Sequence, residues 1–366
     1  MFMSPKLNQS YDYIDLKKAS GWKLLGKKIW QYKWIYLIML LPGLAVTFIF
    51  KYMTMPGILL SWKTFVPTFG DSSLFGYLFS SPWVGWAHFT RLFKESAFWT
   101  ATSNTLIISL LKLIFGFPFP IILAILINEM VFKKYKRVLQ TVYTFPHFLS
   151  WVVLAGMALN LFGDTGVIKR FAMLFDPSLQ DSWNVLYNTQ YFRSLLILTD
   201  IWKEGGWGTI LYLAAIAGID PALNEAATID GANRIQRIIH VTFPQISELI
   251  VIMFILSVGN MMNANFDQIF NMYSAPVYKV ADVIDTYVYR LTFQSTTAMD
   301  YGFSTAVGLF KNVINFALIL GANWASKAAG GGRHHVRKGG AVKWHAKKKS
   351  PRPRPQRAIA SRNSTP

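Results

Sequence analysis

The residues best suited to specific chemistry lie in a polar island, Pro221 to Pro244, set between two long apolar runs. Asp220 is placed to cap a helix beginning at Pro221, a position where the missing N–H costs nothing. Gly231 interrupts that helix, and Asp230 then caps a second turn carrying Ile235, Ile238 and Ile239 on one face. Ala226 and Ala227, with Gly231, let another backbone come close, and the lone carboxylate of Glu225 supplies an orienting charge. This is the chemistry of docking, not of bond-making. The plainer reading is an ordinary amphipathic loop.

A second group comprises charges inside apolar stretches, where a charge is costly and marks a functional candidate. Lys112 either meets the carboxylate of a ligand in a polar cavity or pairs with one such as Asp200. Asp200, Lys203 and Glu204 either line a water-filled path or cap a kink at Gly205-Gly206. Because Lys203 and Glu204 are adjacent, they are expected to point in different directions. Asn160, Asn260 and Asn263 suit the hydroxyls of a polar ligand and interhelical hydrogen bonds equally well. No catalytic residue is expected: the chain has no HExxH and no Ser/His/Asp grouping. Gly21-x4-Gly26-Lys27 imitates a phosphate loop, but Lys28 stands where Ser or Thr would bind magnesium and no strand precedes it. No metal site is expected either, His334, His335 and His345 belonging to a solvated tail.

These groups must be positioned by membrane helices. Of 366 residues, 52% are apolar, 16% aromatic and only 15% charged, against about 25% charged in a soluble domain. Runs of about 20 uncharged residues recur, each enough to cross a bilayer core. Six spans follow, at about Trp34–Phe50, Ser103–Met130, Leu139–Phe162, Ser194–Ile219, Ile246–Met262 and Phe303–Trp324. There is no cysteine to form disulfides or thiolate metal sites. The chain divides into a basic segment (1–33), a transmembrane domain (34–324, with the island at 221–244) and a basic tail (325–366) whose composition predicts disorder. The net charge of +19 does not imply nucleic acid, because it is concentrated: twelve Lys/Arg and no acid follow Trp324. The tail suits anionic lipid headgroups instead. Both termini, the island and the loop holding Lys133, Lys134, Lys136 and Arg137 are basic, and the other loops are balanced or acidic. By the positive-inside rule the basic group is cytoplasmic.

Glu225-Ala226-Ala227, Gly231, and Val241-x-Phe243-Pro244 resemble the EAA loop of ABC importer permeases, E-A-A-x3-G-x9-I-x-L-P, with Val and Phe replacing Ile and Leu. Asp230-Gly231-Ala232 resembles the sugar-importer variant. Asn104-Thr105, Pro146 with Ser150, and Asp200-x-Trp202-Lys203 resemble the carbohydrate branch. Pro146 to Trp151 and Tyr287 to Arg290 are similar to permeases for aldouronate- or alginate-type chains. The resemblance covers about residues 30–324 and implies an all-α, six-helix type I importer permease in the cell inner membrane. It implies that Glu225, Ala226, Ala227, Asp230, Gly231 and Ala232 couple to an ATPase, and that Lys112, Asp200, Lys203, Asn260 and Asn263 border the substrate path. It also implies a second permease subunit, which the sugar branch favours as one of different sequence, two ATPase subunits that hold ATP and magnesium, and a periplasmic or extracellular solute-binding protein. The rival functions are a permease for amino acids, phosphate or peptides, and a stand-alone channel or membrane enzyme.

Overall fold

The computed structural model describes residues 33–65, 74–163, 165–178, 183, 185–294 and 300–328. The basic N-terminal segment up to residue 32, with its Gly21–Lys28 stretch, and the tail after residue 328 lie outside the described residues. Among the described residues the secondary structure is helical except for one isolated antiparallel bridge, Lys63 to Trp83.

Helix α1 (Lys33–Thr47) continues through a π turn (Phe48–Tyr52) and a 3-10 segment (Met55–Trp62). The short helices α2 (Leu74–Ser80) and α3 (Ala87–Lys94) lead into α4 (Ser96–Gly116) and α5 (Pro118–Asn128). Then follow α6 (Lys133–Thr144), α7 (Trp151–Phe162), α8 (Val167–Met173) and the long α9 (Phe192–Ala217). The island supplies α10 (Pro221–Ile229) and α11 (Arg234–Arg237), and α12 (Phe243–Gly259) leaves it. Short helices α13 (Phe266–Met272), α14 (Tyr278–Ala281) and α15 (Ile284–Tyr289) precede α16 (Tyr301–Ala328).

Five helical stretches are long and apolar enough to cross a membrane: 37–62, 96–128, 151–173, 234–263 and 301–328. The fourth expected span is α9, whose 26 residues are long enough. It carries Arg193, Asp200, Lys203 and Glu204, and it qualifies only jointly with α10, from which it bends by 71°. The third expected span differs most. Pro146 lies in a 3-10 turn, Phe145–Phe148, that separates α6 from α7, and the apolar crossing falls at 151–173 rather than 139–162. A proline cannot donate to the helical ladder, so the helix breaks there. Ser150 caps the restart by accepting from the Val153 N–H at 3.3 Å.

Helix α9 is the scaffold against which α4, α5, α6 and α12 pack. No kink occurs at Gly205-Gly206, contrary to the expectation from sequence; the helix runs unbroken from Phe192 to Ala217. The glycines instead permit close approach. A Cβ on Gly205 would lie 2.5 Å from the Phe119 ring, and one on Gly206 would lie 1.8 Å from the Tyr143 carbonyl oxygen. Small residues let helix backbones meet where apolar lipid gives no hydrophobic push.

The apolar packing is layered along the bundle. One cluster joins Leu92, Phe98, Met262, Ile284, Phe303 and Val307. A second joins Ile108, Phe192, Leu196, Ile269 and Val277, and a third joins Ile121, Ile127, Tyr212, Ile216 and Ile246 near the island. The outward faces remain apolar, with Ile122 and Leu126 more than half exposed, as a lipid-facing surface requires. By contrast, none of the apolar window of α1 is buried.

Polar groups fasten residues 278–290 onto this bundle. Asn104 donates to the Lys279 and Asp282 carbonyls at 3.1 and 3.0 Å and accepts from Arg193 at 2.8 Å. Arg193 also donates to the Val280 carbonyl, and the Ile284 N–H donates to Thr105. The Asp282 carboxylate receives Arg290 through both oxygens, at 2.9 and 2.5 Å, and the Thr286 hydroxyl at 2.7 Å. Such bidentate pairing fixes orientation as well as charge.

Candidate functional site

Two places gather the residues singled out in the sequence. The first is the island. The Asp220 side chain accepts from the Ala222 N–H at 3.0 Å, so α10 starts where the sequence put it, with Pro221 in its first turn. The helix stops at Gly231, whose φ of +81° lies in the left-handed region. The Ala232 N–H donates to the Ala227 carbonyl at 2.9 Å and the Gly231 N–H to the Thr228 carbonyl at 3.1 Å. This six-to-one and five-to-two pair of bonds is the Schellman arrangement, which needs a left-handed residue and favours glycine.

The second cap is corrected by the structure. Asp230 ends α10 and does not begin α11. Asn233 caps α11, accepting from the Gln236 N–H at 2.9 Å while the Gln236 side chain accepts from the Asn233 N–H at 2.8 Å. The sequence carried this signal: an Asn followed three residues later by Gln is a capping box. Arg237 reaches back to the Thr228 hydroxyl at 2.9 Å and closes the hairpin. Of the predicted residues, Ala227 is buried, Ala232 is half-buried, and Glu225, Ala226, Asp230 and Gly231 are exposed. Ile229 is 85% exposed beside Glu225 and Thr228, in a shallow groove that Asn224 and Arg237 complete. An apolar tip beside one carboxylate is suited to insertion into a partner's cleft.

The second place is a cavity of about 610 Å³ walled by α4, α5, α9, α12 and the turn after α12. Lys112, Asp200, Glu204, Asn260 and Asn263 all line it. The Lys112 ammonium donates to Asp200 at 3.0 Å, to the Gln268 side-chain oxygen, and at 3.5 Å to the Ala264 carbonyl. Asn265 donates to the same Asp200 oxygen at 3.1 Å, and Gln268 donates to the Leu196 carbonyl and the Thr199 hydroxyl. Pairing with Asp200 is therefore the arrangement the structure holds for Lys112. Residues Ala264 and Asn265 have φ of 45° and 61°, two consecutive left-handed residues other than glycine. Such backbone persists only where its surroundings over-determine it, and here the Lys112–Asp200–Gln268 cluster does so.

Lys203 does not line the cavity. It is buried and donates to the His147 carbonyl at 2.7 Å, a group released by the break around Pro146. It also meets the Glu204 carboxylate at 3.1 Å, so the two neighbours converge, against the expectation that they diverge. The stems of long side chains curl enough to bridge adjacent positions. The other Glu204 oxygen lies 2.7 Å from Nδ1 of His147, whose ring stacks on Trp207 with centroids 4.5 Å apart. The sequence did not reveal His147 and Gln268 as members of these clusters: His147 lies in the stretch 146–151 but nothing there announces its partner, and Gln268 has no periodic or motif signal. Asn260 bonds within its own helix, to the Leu256 carbonyl at 3.2 Å, and Asn263 lies 3.5 Å from the Asn260 side chain. Asn160 is exposed and does not line this cavity. No group of metal ligands occurs among the described residues.

Residues 116–327 match the family model described as binding-protein-dependent transport system inner membrane component. Protein LplB of Bacillus subtilis is 40% identical over 81% of this chain and 89% of its own length. The polygalacturonan/rhamnogalacturonan transport system permease protein YteP of the same organism is 38% identical over 87% of this chain and 95% of its own. Among solved structures, a chain of a bacterial ABC transporter involved in import of the acidic polysaccharide alginate superposes with a TM-score of 0.72. It is 36% identical over 83% of this chain and 99% of that one.

Proposed function

Because this chain belongs to the family of binding-protein-dependent transport system inner membrane components, we propose that it forms half of the path of an ATP-driven oligosaccharide importer, with uronate-containing chains as the favoured cargo. As a permease subunit of such an importer it is a transport component and not itself an enzyme. A solute-binding protein accompanies transporters of this kind, and the related alginate transporter has been solved with its pentasaccharide-bound periplasmic protein.

The observation that carries the reading is the island's shape. A helix 26 residues long leaves the cavity wall, bends by 71° into α10, and presents Ile229 and Glu225 at an exposed, Schellman-closed tip. Glu225, Ala226, Ala227, Asp230, Gly231 and Ala232 are assigned to docking on an ATPase subunit, on the cytoplasmic side that the basic loops select. Movement of that tip is conveyed along α9 directly to Asp200 and Glu204 in the cavity. Lys112, Asp200, Asn260 and Asn263 border the path; Lys203 supports its wall from behind. A second permease subunit and two ATPases, which hold the ATP and magnesium, complete the assembly. The oligosaccharide assignment leans on the relatives' cargo, polygalacturonan or rhamnogalacturonan for one and alginate for the other.

The absence of cysteine gives a clean test. Ile229→Cys introduces this subunit's sole thiol. In the assembled complex, a short bifunctional thiol–amine reagent should join it to the ATPase, with a yield that changes when ATP is bound. Cross-linking to no nucleotide-hydrolysing subunit would refute the assignment.

A further inference from the structure

Lys112 is the sole cation among the described residues lining the cavity. Its position inside an importer of acidic sugars invites a role in binding carboxylates, yet the geometry opposes that role. An ammonium has three protons to donate, and Lys112 faces three acceptors: the Asp200 carboxylate at 3.0 Å, the Gln268 side-chain oxygen and the Ala264 carbonyl. Its side chain is only 12% exposed. The next cation, Lys203, is 7% exposed and is occupied by the His147 carbonyl and Glu204. What faces the open volume is different in kind. The Glu204 side chain is 39% exposed but is held by Lys203 through one oxygen and by His147 through the other, whereas Asn260 and Asn263 present amides whose bonds are confined to their own turn.

We propose, on the premise that the chain is an oligosaccharide permease, that this subunit's wall reads sugar hydroxyls and offers no cation to a carboxylated cargo. The Asn260 and Asn263 amides donate to and accept from hydroxyls, which acidic and neutral sugars share. The Lys112–Asp200 pair instead clamps the left-handed turn at Ala264-Asn265 against α4 and α9. Discrimination between acidic and neutral chains therefore resides outside this wall.

The test uses the purified complex without its solute-binding protein, so that the cavity alone is probed. Binding of a defined oligogalacturonide and of its carboxyl-reduced, neutral counterpart is measured by saturation-transfer NMR in titration. In Lys112→Met/Asp200→Leu the ratio of the two affinities should stay within about threefold of the wild-type ratio. In Asn260→Ala/Asn263→Ala both affinities should fall together. Should the first double variant fail to assemble, Lys112→Gln/Asp200→Asn retains a hydrogen bond between the two positions and carries the same comparison. A tenfold or greater loss confined to the acidic ligand in the assembled paired variant would overturn the inference. Binding of neither saccharide by the wild-type complex would instead overturn the oligosaccharide reading on which it rests.

Discussion

Replacing Gly231 separates the backbone requirement of the island from its docking role. The residue sits at φ +81° and a Cβ built there meets nothing within 4 Å, so within this chain the penalty of a substitution is purely conformational. Holding an L-residue in the left-handed region costs about 1–2 kcal/mol, with Asn tolerated better than Ala. That matters because the hairpin is tied by exposed bonds, such as Arg237 to Thr228 and the two N–H bonds that close α10. Each contributes about 0.5–1.5 kcal/mol, so the penalty is comparable with what holds the turn. One to two kcal/mol corresponds to roughly a five- to thirtyfold shift in population. Gly231→Ala should therefore lower ATP hydrolysis stimulated by cargo-loaded binding protein by up to about thirtyfold, with the subunits still co-purifying. Gly231→Asn should lose much less, and Gly231→Val should lose most. The assay is stimulated hydrolysis in proteoliposomes, normalised to the ATPase recovered. Full stimulation in the valine variant would refute the reasoning, because it would mean that the shape of this turn is not transmitted.

Other perturbations follow from the packing. Gly206→Ala forces a methyl to within 1.8 Å of the Tyr143 carbonyl, so α6 must move off α9; a loss of about 1–3 kcal/mol is expected, read as a lower melting temperature of the complex. Asn104→Leu strips two carbonyls and Arg193 of a partner and should cost about 1–3 kcal/mol, seen as earlier proteolysis of residues 278–290. The Tyr287 hydroxyl is buried without a hydrogen-bond partner among the described residues, and burial pushes its pKa up to about 12, so it stays neutral. Tyr287→Phe should leave stability unchanged or raise it by about 1 kcal/mol, measured by thermal unfolding; a clear destabilisation would show that the hydroxyl has a partner in the assembly.

The fold class was legible because apolar runs and their lengths are one-dimensional information. The start of α10 was legible for the same reason: Asp220 and Pro221 act on their immediate neighbours. The stop at Gly231 was read correctly, but the second cap was assigned to Asp230 when the Asn233–Gln236 box held it. Local motifs compete, and the one that satisfies two donors prevails. Charge pairing was only half legible. Lys112 and Asp200 stood out as costly, but their third partner, Gln268, arrives from helix α13, 156 residues beyond Lys112. Nothing in the spacing of an uncharged Gln announces such a meeting. Glycines 205 and 206 misled, since the same residue type serves bends and tight contacts, and only the neighbouring helices decide which.

The described side chains of α1 from residue 34 to 47 are exposed except for the half-buried Ala45, so the helix buries almost nothing against its own subunit. Substitutions at its exposed apolar positions are consequently expected to change little in how well the isolated polypeptide holds together. Whatever sensitivity they display in the living membrane is a report on the company this subunit keeps, uncontaminated by its private stability.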